Sequence, residues 1–119
     1  MKRSAGILLH ISSLPSKYGI GTLGEEAYRF VDFLKQSSQT YWQVLPINPT
    51  GFGDSPYQSC SSFAGNPYFI DLDKLANDGL LQEDDYKYID WGSDPYCVDY
   101  GKIYDNRYPL LRKAFENAD

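Results

Sequence analysis

Gly6-Ile7-Leu8-Leu9-His10-Ile11 and Thr40-Tyr41-Trp42-Gln43-Val44-Leu45-Pro46, with Thr22-Leu23-Gly24-Glu25 opening an amphipathic stretch between them, decide the fold. The first is a short, nearly continuous apolar run, the pattern of a strand buried on both faces. The last is β-branched and aromatic and closes on a proline, the pattern of a second strand. Between them, Thr22 and Glu25 have the spacing of a capping box. A helix is therefore predicted over Glu25 to Ser37, with Ala27, Phe30, Val31 and Leu34 on its apolar face and Arg29, Asp32 and Lys35 toward solvent. Strand, helix and strand within so short a span form a βαβ unit, which predicts parallel strands and a right-handed crossover.

Beyond the second strand, residues 47–67 form a loop of Pro, Gly, Asn, Asp and Ser studded with Phe52, Tyr57 and Phe63. Loops longer than about 12–15 residues are usually functional or disordered, and interleaved aromatics argue against disorder. This loop leaves the carboxyl end of a strand, where parallel α/β folds bind ligands. Its hydroxyls, amides and carboxylate beside ring faces suit a carbohydrate, whose C–H faces stack on aromatics while its hydroxyls need donors and acceptors. A structural Ω-loop accounts for the same residues. Tyr68-Phe69-Ile70-Asp71 reads as a third short strand, followed by a helical turn from Leu72 to Asp78 with Gly79 as its C-cap. Glu83, Asp84, Asp85, Asp90, Asp94 and Asp99 face one base, Lys87, across residues 82–99, the pattern of a solvated surface excursion. Asp99 caps a last predicted helix, Tyr100 to Asn117, with Tyr104, Tyr108, Leu111 and Phe115 on one face and a kink at Pro109.

Composition narrows the partners. The 119 residues fit one compact domain, and a net charge of −5 argues against nucleic acid and anionic membrane surfaces. Eleven tyrosines, with six phenylalanines and two tryptophans, point to recognition of something flat-faced and hydroxylated, or to a tyrosine-rich core and rim. After Met1-Lys2-Arg3 the apolar run Ala5 to Leu9 ends at His10, short of the roughly 7–15 residues of a secretory signal, and no stretch approaches the ~20 of a membrane span. Cys60 and Cys97 make neither a disulfide framework nor a zinc site, so they read as reduced thiols of a cytosolic protein. Asn48-Pro49-Thr50 is no glycosylation sequon because proline takes the middle position. Trp42 and Trp91 read as packing residues, and His10, the one histidine, as a packed or hydrogen-bonded core residue.

Gly19-Ile20-Gly21-Thr22-Leu23-Gly24 matches the dinucleotide pattern G-x-G-x-x-G in letters only. Seven residues, Ser12 to Tyr18, separate it from the strand it should follow directly, and the second strand ends Leu45-Pro46-Ile47-Asn48 without the acid that would hold a ribose. These glycines read as turn formers.

Gly6-Ile7-Leu8-Leu9-His10, Ser12-Ser13-Leu14-Pro15, Tyr18-Gly19-Ile20-Gly21, Tyr41-Trp42-Gln43-Val44-Leu45-Pro46, Gly53-Asp54-Ser55-Pro56-Tyr57-Gln58-Ser59, Phe63-Ala64-Gly65-Asn66-Pro67 and Ile70-Asp71 together resemble the start of the 4-α-glucanotransferases, the amylomaltase or disproportionating-enzyme family. The resemblance implies an α/β fold in which residues 1–119 are the N-terminal part of a (β/α)8 TIM barrel, with parallel strands and long active-site loops. It implies a cytoplasmic enzyme that transfers α-1,4-glucan segments between maltodextrin chains in maltodextrin or glycogen metabolism, by a retaining double displacement, with no cofactor and no metal. The two carboxyl groups of that reaction stand about 5–5.5 Å apart. In the family they belong to later barrel strands, so this chain is expected to hold no catalytic residue and to be inactive by itself. By the same resemblance Tyr57 stacks on a sugar, Ser55 bonds a glucose hydroxyl, Asp54 orients the loop or touches substrate, and Tyr104 belongs to a second, outer glucan surface. Phe52 stands there where some relatives carry Tyr, keeping the ring without the hydroxyl. An incomplete barrel would leave strand edges unpaired, so the isolated chain is expected to be marginal or aggregation-prone. A stand-alone carbohydrate-binding module without chemistry is the alternative reading.

Overall fold

β1 (Gly6–Leu8) and β2 (Tyr41–Gln43) pair in parallel, with Gly6 opposite Tyr41, Ile7 opposite Trp42 and Leu8 opposite Gln43. Helix α1 (Glu25–Gln36) connects them, as a βαβ unit requires. This is a computed structural model, and it describes residues 3–50, 55, 57, 61 and 63–118. The strands are shorter than the apolar runs predict, although backbone bonds extend the ladder at both ends: Thr40 N–H donates to the Ala5 carbonyl at 2.8 Å and Leu9 N–H to the Gln43 carbonyl at 3.0 Å. Gly6 is required where the strands approach, because a Cβ there would lie 2.6 Å from the Tyr41 carbonyl oxygen. The expectation of two buried faces fails: Leu8 is 57% and Tyr41 62% exposed. A two-strand sheet has helix α1 against it, through the edge contact of Phe30 on Trp42 at 4.8 Å, and no third strand beside it among the described residues. Val31 and Phe33 of α1 are also exposed.

The capping box is replaced by a longer-range arrangement. The N-cap of α1 is Gly24, Glu25 and Glu26 pair with Arg29, and the Thr22 hydroxyl donates to Asp71 at 2.8 Å. Asp71 also accepts from the Lys74 amide at 3.0 Å, so one carboxylate caps α2 (Leu72–Asn77) and packs on the start of α1. A Cβ on Gly24 would stand 2.5 Å from that carboxylate, which is why glycine occupies the cap. Both helices end in Schellman geometry. After α1, Gln39 N–H donates to Leu34 and Ser38 N–H to Lys35, with Ser38 at φ 57°; after α2, Leu80 donates to Leu75 and Gly79 to Ala76, with Gly79 at φ 79°.

The predicted third strand is a 3-10 turn, Pro67–Phe69. Pro67 cannot donate to a ladder, and the Asn66 side chain accepts from the Tyr68 amide at 2.9 Å, so local capping prevails over β propensity. Helix α3 (Tyr100–Asn117) begins at Asp99, whose side chain accepts from the Lys102 amide, and continues through Pro109. Its buried face is Ile103, Arg107, Leu110 and Ala114, one position off the aromatic face predicted; Tyr104 is 62% and Phe115 77% exposed. Tyr104 keeps its hydroxyl toward solvent, whereas Arg107 is buried whole, its Nε and Nη2 finding no hydrogen-bond partner among the described residues. Its Nη1 donates to the Ile70 carbonyl at 2.7 Å and its guanidinium lies 5.8 Å from the Trp91 ring centre. Burial lowers the Arg107 pKa to about 10, partly offset by Asp71, so it stays charged at neutral pH.

The acids of residues 82–99 face solvent as their charge predicts, but the stretch is anchored in the core by two of its rings. Tyr86 and Trp91 enter the core beside Leu72, Leu81 and Ile103, at 1% and 6% exposure. Trp91 and the half-buried Trp42 are packing residues, as their sequence context predicts.

Candidate functional site

Both strands point their carboxyl ends at the same place. Past β1 come His10 and the 3-10 turn Ile11–Ser13; past β2, Leu45 to Thr50 are irregular. A cleft of about 160 Å³ opens between them, lined by His10, Ser12, Ser13, Thr50, Asn66 and Phe69 among others. On the far side of Phe69 and Asn66 lies a larger, mainly apolar hollow of about 430 Å³ with Leu23, Ile47, Pro67 and Ile70 in its wall. Hydroxyls and amides on one side of a ring and hydrocarbon on the other match the two kinds of surface a sugar presents.

His10 packs as its sequence context predicts, edge-on to Phe69 at 5.4 Å and 81°. Its Nδ1 is buried and finds no hydrogen-bond partner among the described residues, and burial pushes its pKa below the ordinary histidine value. The backbone on either side is fixed: the Leu9 carbonyl accepts from Trp42 Nε1 at 2.7 Å, and the His10 carbonyl accepts from the Ser13 amide at 3.0 Å.

Of the residues read as glucan-binding, Phe52 and Asp54 lie outside the described residues. Ser55 and Tyr57 come together: the Ser55 hydroxyl oxygen accepts from the Tyr57 amide at 3.3 Å, and the Tyr57 ring is 71% exposed. Tyr104 is held elsewhere, on α3, and shares no hydrogen bond or ring contact with Ser55 or Tyr57 among the described residues. It starts a run of rings instead, Tyr104 to Tyr108 at 5.4 Å, Tyr108 to Tyr68 at 5.7 Å and Tyr68 to Tyr100 at 6.5 Å. Tyr108 and Tyr68 extend the run from Tyr104, and the four-residue spacing of Tyr104 and Tyr108 on one helix is its signal in the sequence.

Several of the acids are held in structural bonds. Asp71 caps α2, and Asp73 Oδ1 accepts from the Tyr18 hydroxyl at 3.0 Å and the Tyr86 hydroxyl at 2.8 Å. Burial, then the bond to Asp73, raises the Tyr18 pKa to about 12 and moves Tyr86 further the same way. Asp85 is held below the usual carboxylate range by its bond from Lys113, and Asp90 by its bond from Lys102. Asp94 accepts from the Tyr96 amide, and Asp99 caps α3. Among the described residues no group of three His, Cys, Asp or Glu could hold a metal ion, and no helix is long and apolar enough to cross a membrane. Cys97 is exposed, and a bond to Asp94 raises its pKa, the opposite of an activated thiol; Cys60 lies outside the described residues.

The glycines of the dinucleotide-like pattern serve packing. A Cβ on Gly19, at φ 86°, would meet Ile103 at 2.8 Å, and one on Gly21 would meet the Ile11 carbonyl at 2.0 Å. Each glycine lets the 12–21 loop fold onto the core.

Known proteins agree with this geometry. Residues 9–119 match the family model described as 4-alpha-glucanotransferase. A 4-alpha-glucanotransferase of Streptococcus pneumoniae serotype 4 is 59% identical over 113 residues, which are 95% of this chain and 22% of that protein. One from Thermus thermophilus is 51% identical over 115 residues, 97% of this chain and again 22% of the relative. The structure of an amylomaltase from Streptococcus agalactiae in complex with acarbose superposes with a TM-score of 0.95 at 52% identity, over 98% of this chain and 23% of that one. The chain thus spans less than a quarter of the length of these relatives, and it reproduces a parallel α/β portion of the amylomaltase fold. On the extent of the match and on the identity of its relatives, the chain belongs to the 4-alpha-glucanotransferase family.

Proposed function

We propose that residues 1–119 are the N-terminal segment of a (β/α)8 barrel that moves α-1,4-glucan segments between maltodextrin chains, in the cytoplasm, in maltodextrin or glycogen metabolism. The observation that carries this reading is the superposition on an amylomaltase whose structure holds acarbose. The segment supplies wall rather than chemistry. Retaining transfer needs a nucleophilic carboxylate and an acid–base carboxyl about 5–5.5 Å apart. The carboxylates described above are tied to helix caps, tyrosines and lysines, and by the family resemblance the reacting pair comes from the part of the relatives' length that this chain does not span. Tyr57, with its ring standing free of the protein, is the stacking platform, Ser55 beside it bonds a glucose hydroxyl, and Asp54 orients the loop or touches substrate. Tyr104, with Phe52, forms the outer glucan surface.

The test uses a complete enzyme, natural or built by placing residues 1–119 at the head of the Streptococcus agalactiae amylomaltase. Incubated with maltotriose, it is expected to release glucose and longer oligosaccharides, whereas the 119-residue chain alone yields neither. Products above a blank from the chain alone, or an inert complete enzyme, contradict the reading. Tyr57→Ala is expected to lower kcat/KM roughly ten- to a hundredfold, since burying a large apolar side chain is worth about 1.5–3 kcal/mol; near-normal kcat/KM removes Tyr57 from the platform. Calorimetry with maltoheptaose separates the binding-module alternative: specific binding by the isolated chain favours it.

A further inference from the structure

We propose that His10 is a substrate-positioning residue, which donates through its Nε2–H into the cleft at the carboxyl ends of β1 and β2 and holds a glucan hydroxyl there. The proposal deepens the glucan-transfer reading and rests on it.

The ring has two nitrogens in different surroundings. Nδ1 is sealed in the protein with no partner among the described residues, while Nε2 is the nitrogen left to reach solvent, and the residue lines the cleft. A neutral imidazole carries its proton on one nitrogen and a lone pair on the other. Orphaned buried N–H groups are rarer than under-satisfied acceptors, so the tautomer with the lone pair on Nδ1 and the proton on Nε2 is the cheaper one here. Double protonation would place an unpartnered N–H⁺ in the buried position. The ring is therefore a fixed, uncharged donor.

Its orientation is set before any ligand arrives. Phe69 takes the ring edge-on, and the bonds from Trp42 Nε1 to the Leu9 carbonyl and from the Ser13 amide to the His10 carbonyl hold the backbone on both sides. Such pre-organisation lowers the ordering cost of binding. The other groups of the cleft suit the same ligand. Ser12, Ser13 and Thr50 bring hydroxyls, which donate or accept, and Asn66 uses its side-chain oxygen on the Tyr68 amide, leaving its NH2 group to donate. The cleft holds about five water molecules' share of liquid volume, enough for the hydroxylated edge of one sugar unit and too little for an oligosaccharide. No charged side chain is among the six groups named, so the partner is a neutral polyol rather than a phosphate or carboxylate.

The test is made in the complete enzyme with maltotriose as substrate. His10→Met keeps the bulk and removes the donor; it is expected to raise KM about three- to tenfold with kcat little changed, the loss of one neutral hydrogen bond made equally in ground and transition states. His10→Gln, whose amide can place a donor near the Nε2 position, is expected to stay within about twofold of the parent, as a rescue a purely structural role would not give. Histidine-ring ¹⁵N spectra, with the His10 signals identified by their loss in His10→Gln, are expected to show Nδ1 unprotonated and Nε2 protonated at neutral pH. An unchanged KM in His10→Met, equal losses in Met and Gln, or a proton on Nδ1 overturns the proposal. If His10→Met does not fold, the Gln kinetics and the tautomer decide. An inactive parent enzyme instead overturns the glucan-transfer reading, and this inference falls with it.

Discussion

The β1–α1–β2 unit and the segment from residue 72 to 117 trade the roles their sequences suggest. The first has the most core-like residues in the chain, yet Leu8, Val31, Phe33, Tyr41 and Val44 are exposed. The second includes the acid-rich stretch, yet Leu72, Tyr86 and Ile103 are at most 1% exposed and Trp91 is nearly so. Apolar character marks what the whole fold covers, and a sheet with two strands covers little of itself. The acid-rich stretch is anchored to the core by two large rings and a tyrosine–carboxylate cluster around Asp73, while its charges remain at the surface in pairs such as Asp85 with Lys113 and Asp90 with Lys102.

The contrast breaks most readily at Trp91. Trp91→Ala is expected to cost about 3–5 kcal/mol by denaturant titration of the complete enzyme, the range for truncating a buried aromatic side chain; a cost under about 1 kcal/mol, the centre of the distribution for ordinary substitutions, would mean that the stretch is not core. Leu8→Ala sharpens the other side. It is expected to cost within about 0.5 kcal/mol in the 119-residue chain, where the side chain is exposed, and about 2 kcal/mol or more in the complete enzyme, where further strands would cover it. Equal costs in the two settings would remove the claim that the sheet awaits neighbours.

Alkaline pH probes the Asp73 cluster. The Tyr18 pKa is raised in the fold, so the stability it contributes is fully present below the ordinary tyrosine value near 10 and is lost as pH rises through about 12. Stability is expected to fall across that window, and less steeply in Tyr18→Phe; parallel profiles for parent and variant would dissociate the two. The smallest effect belongs to the sheet side, at the α1 terminus. Ser38 holds a left-handed conformation that glycine takes without strain, so Ser38→Gly is expected to stabilise by about 1 kcal/mol, read as a shift in the denaturation midpoint.

What the sequence made legible was local. Each element of the βαβ unit, the Asp99 cap and the left-handed Gly79 depend on residues near one another in the chain, and the local pattern shows them. What it hid was assembled at a distance. Thr22 bonds a carboxylate 49 residues away rather than the nearby α1 terminus, so the capping box never forms. The register of α3 places Arg107, a charged residue that pattern reading sends to solvent, inside the fold, bonded to the Ile70 carbonyl and 5.8 Å from the Trp91 ring centre. The candidate site divides in the same way. Ser55, Tyr57 and Tyr104 came from motif resemblance, whereas the cleft joins positions 10, 12, 13, 50, 66 and 69, which no single motif contains.

Amide hydrogen exchange, followed residue by residue in the 119-residue chain and in the complete enzyme, tests most directly whether this chain is one wall of a larger barrel. In the chain alone, the amides of β1 and β2 are expected to exchange far faster than those of α3 facing Tyr86 and Trp91, and in the complete enzyme they are expected to rank with the slowest. Strand amides equally protected in both settings would contradict the account.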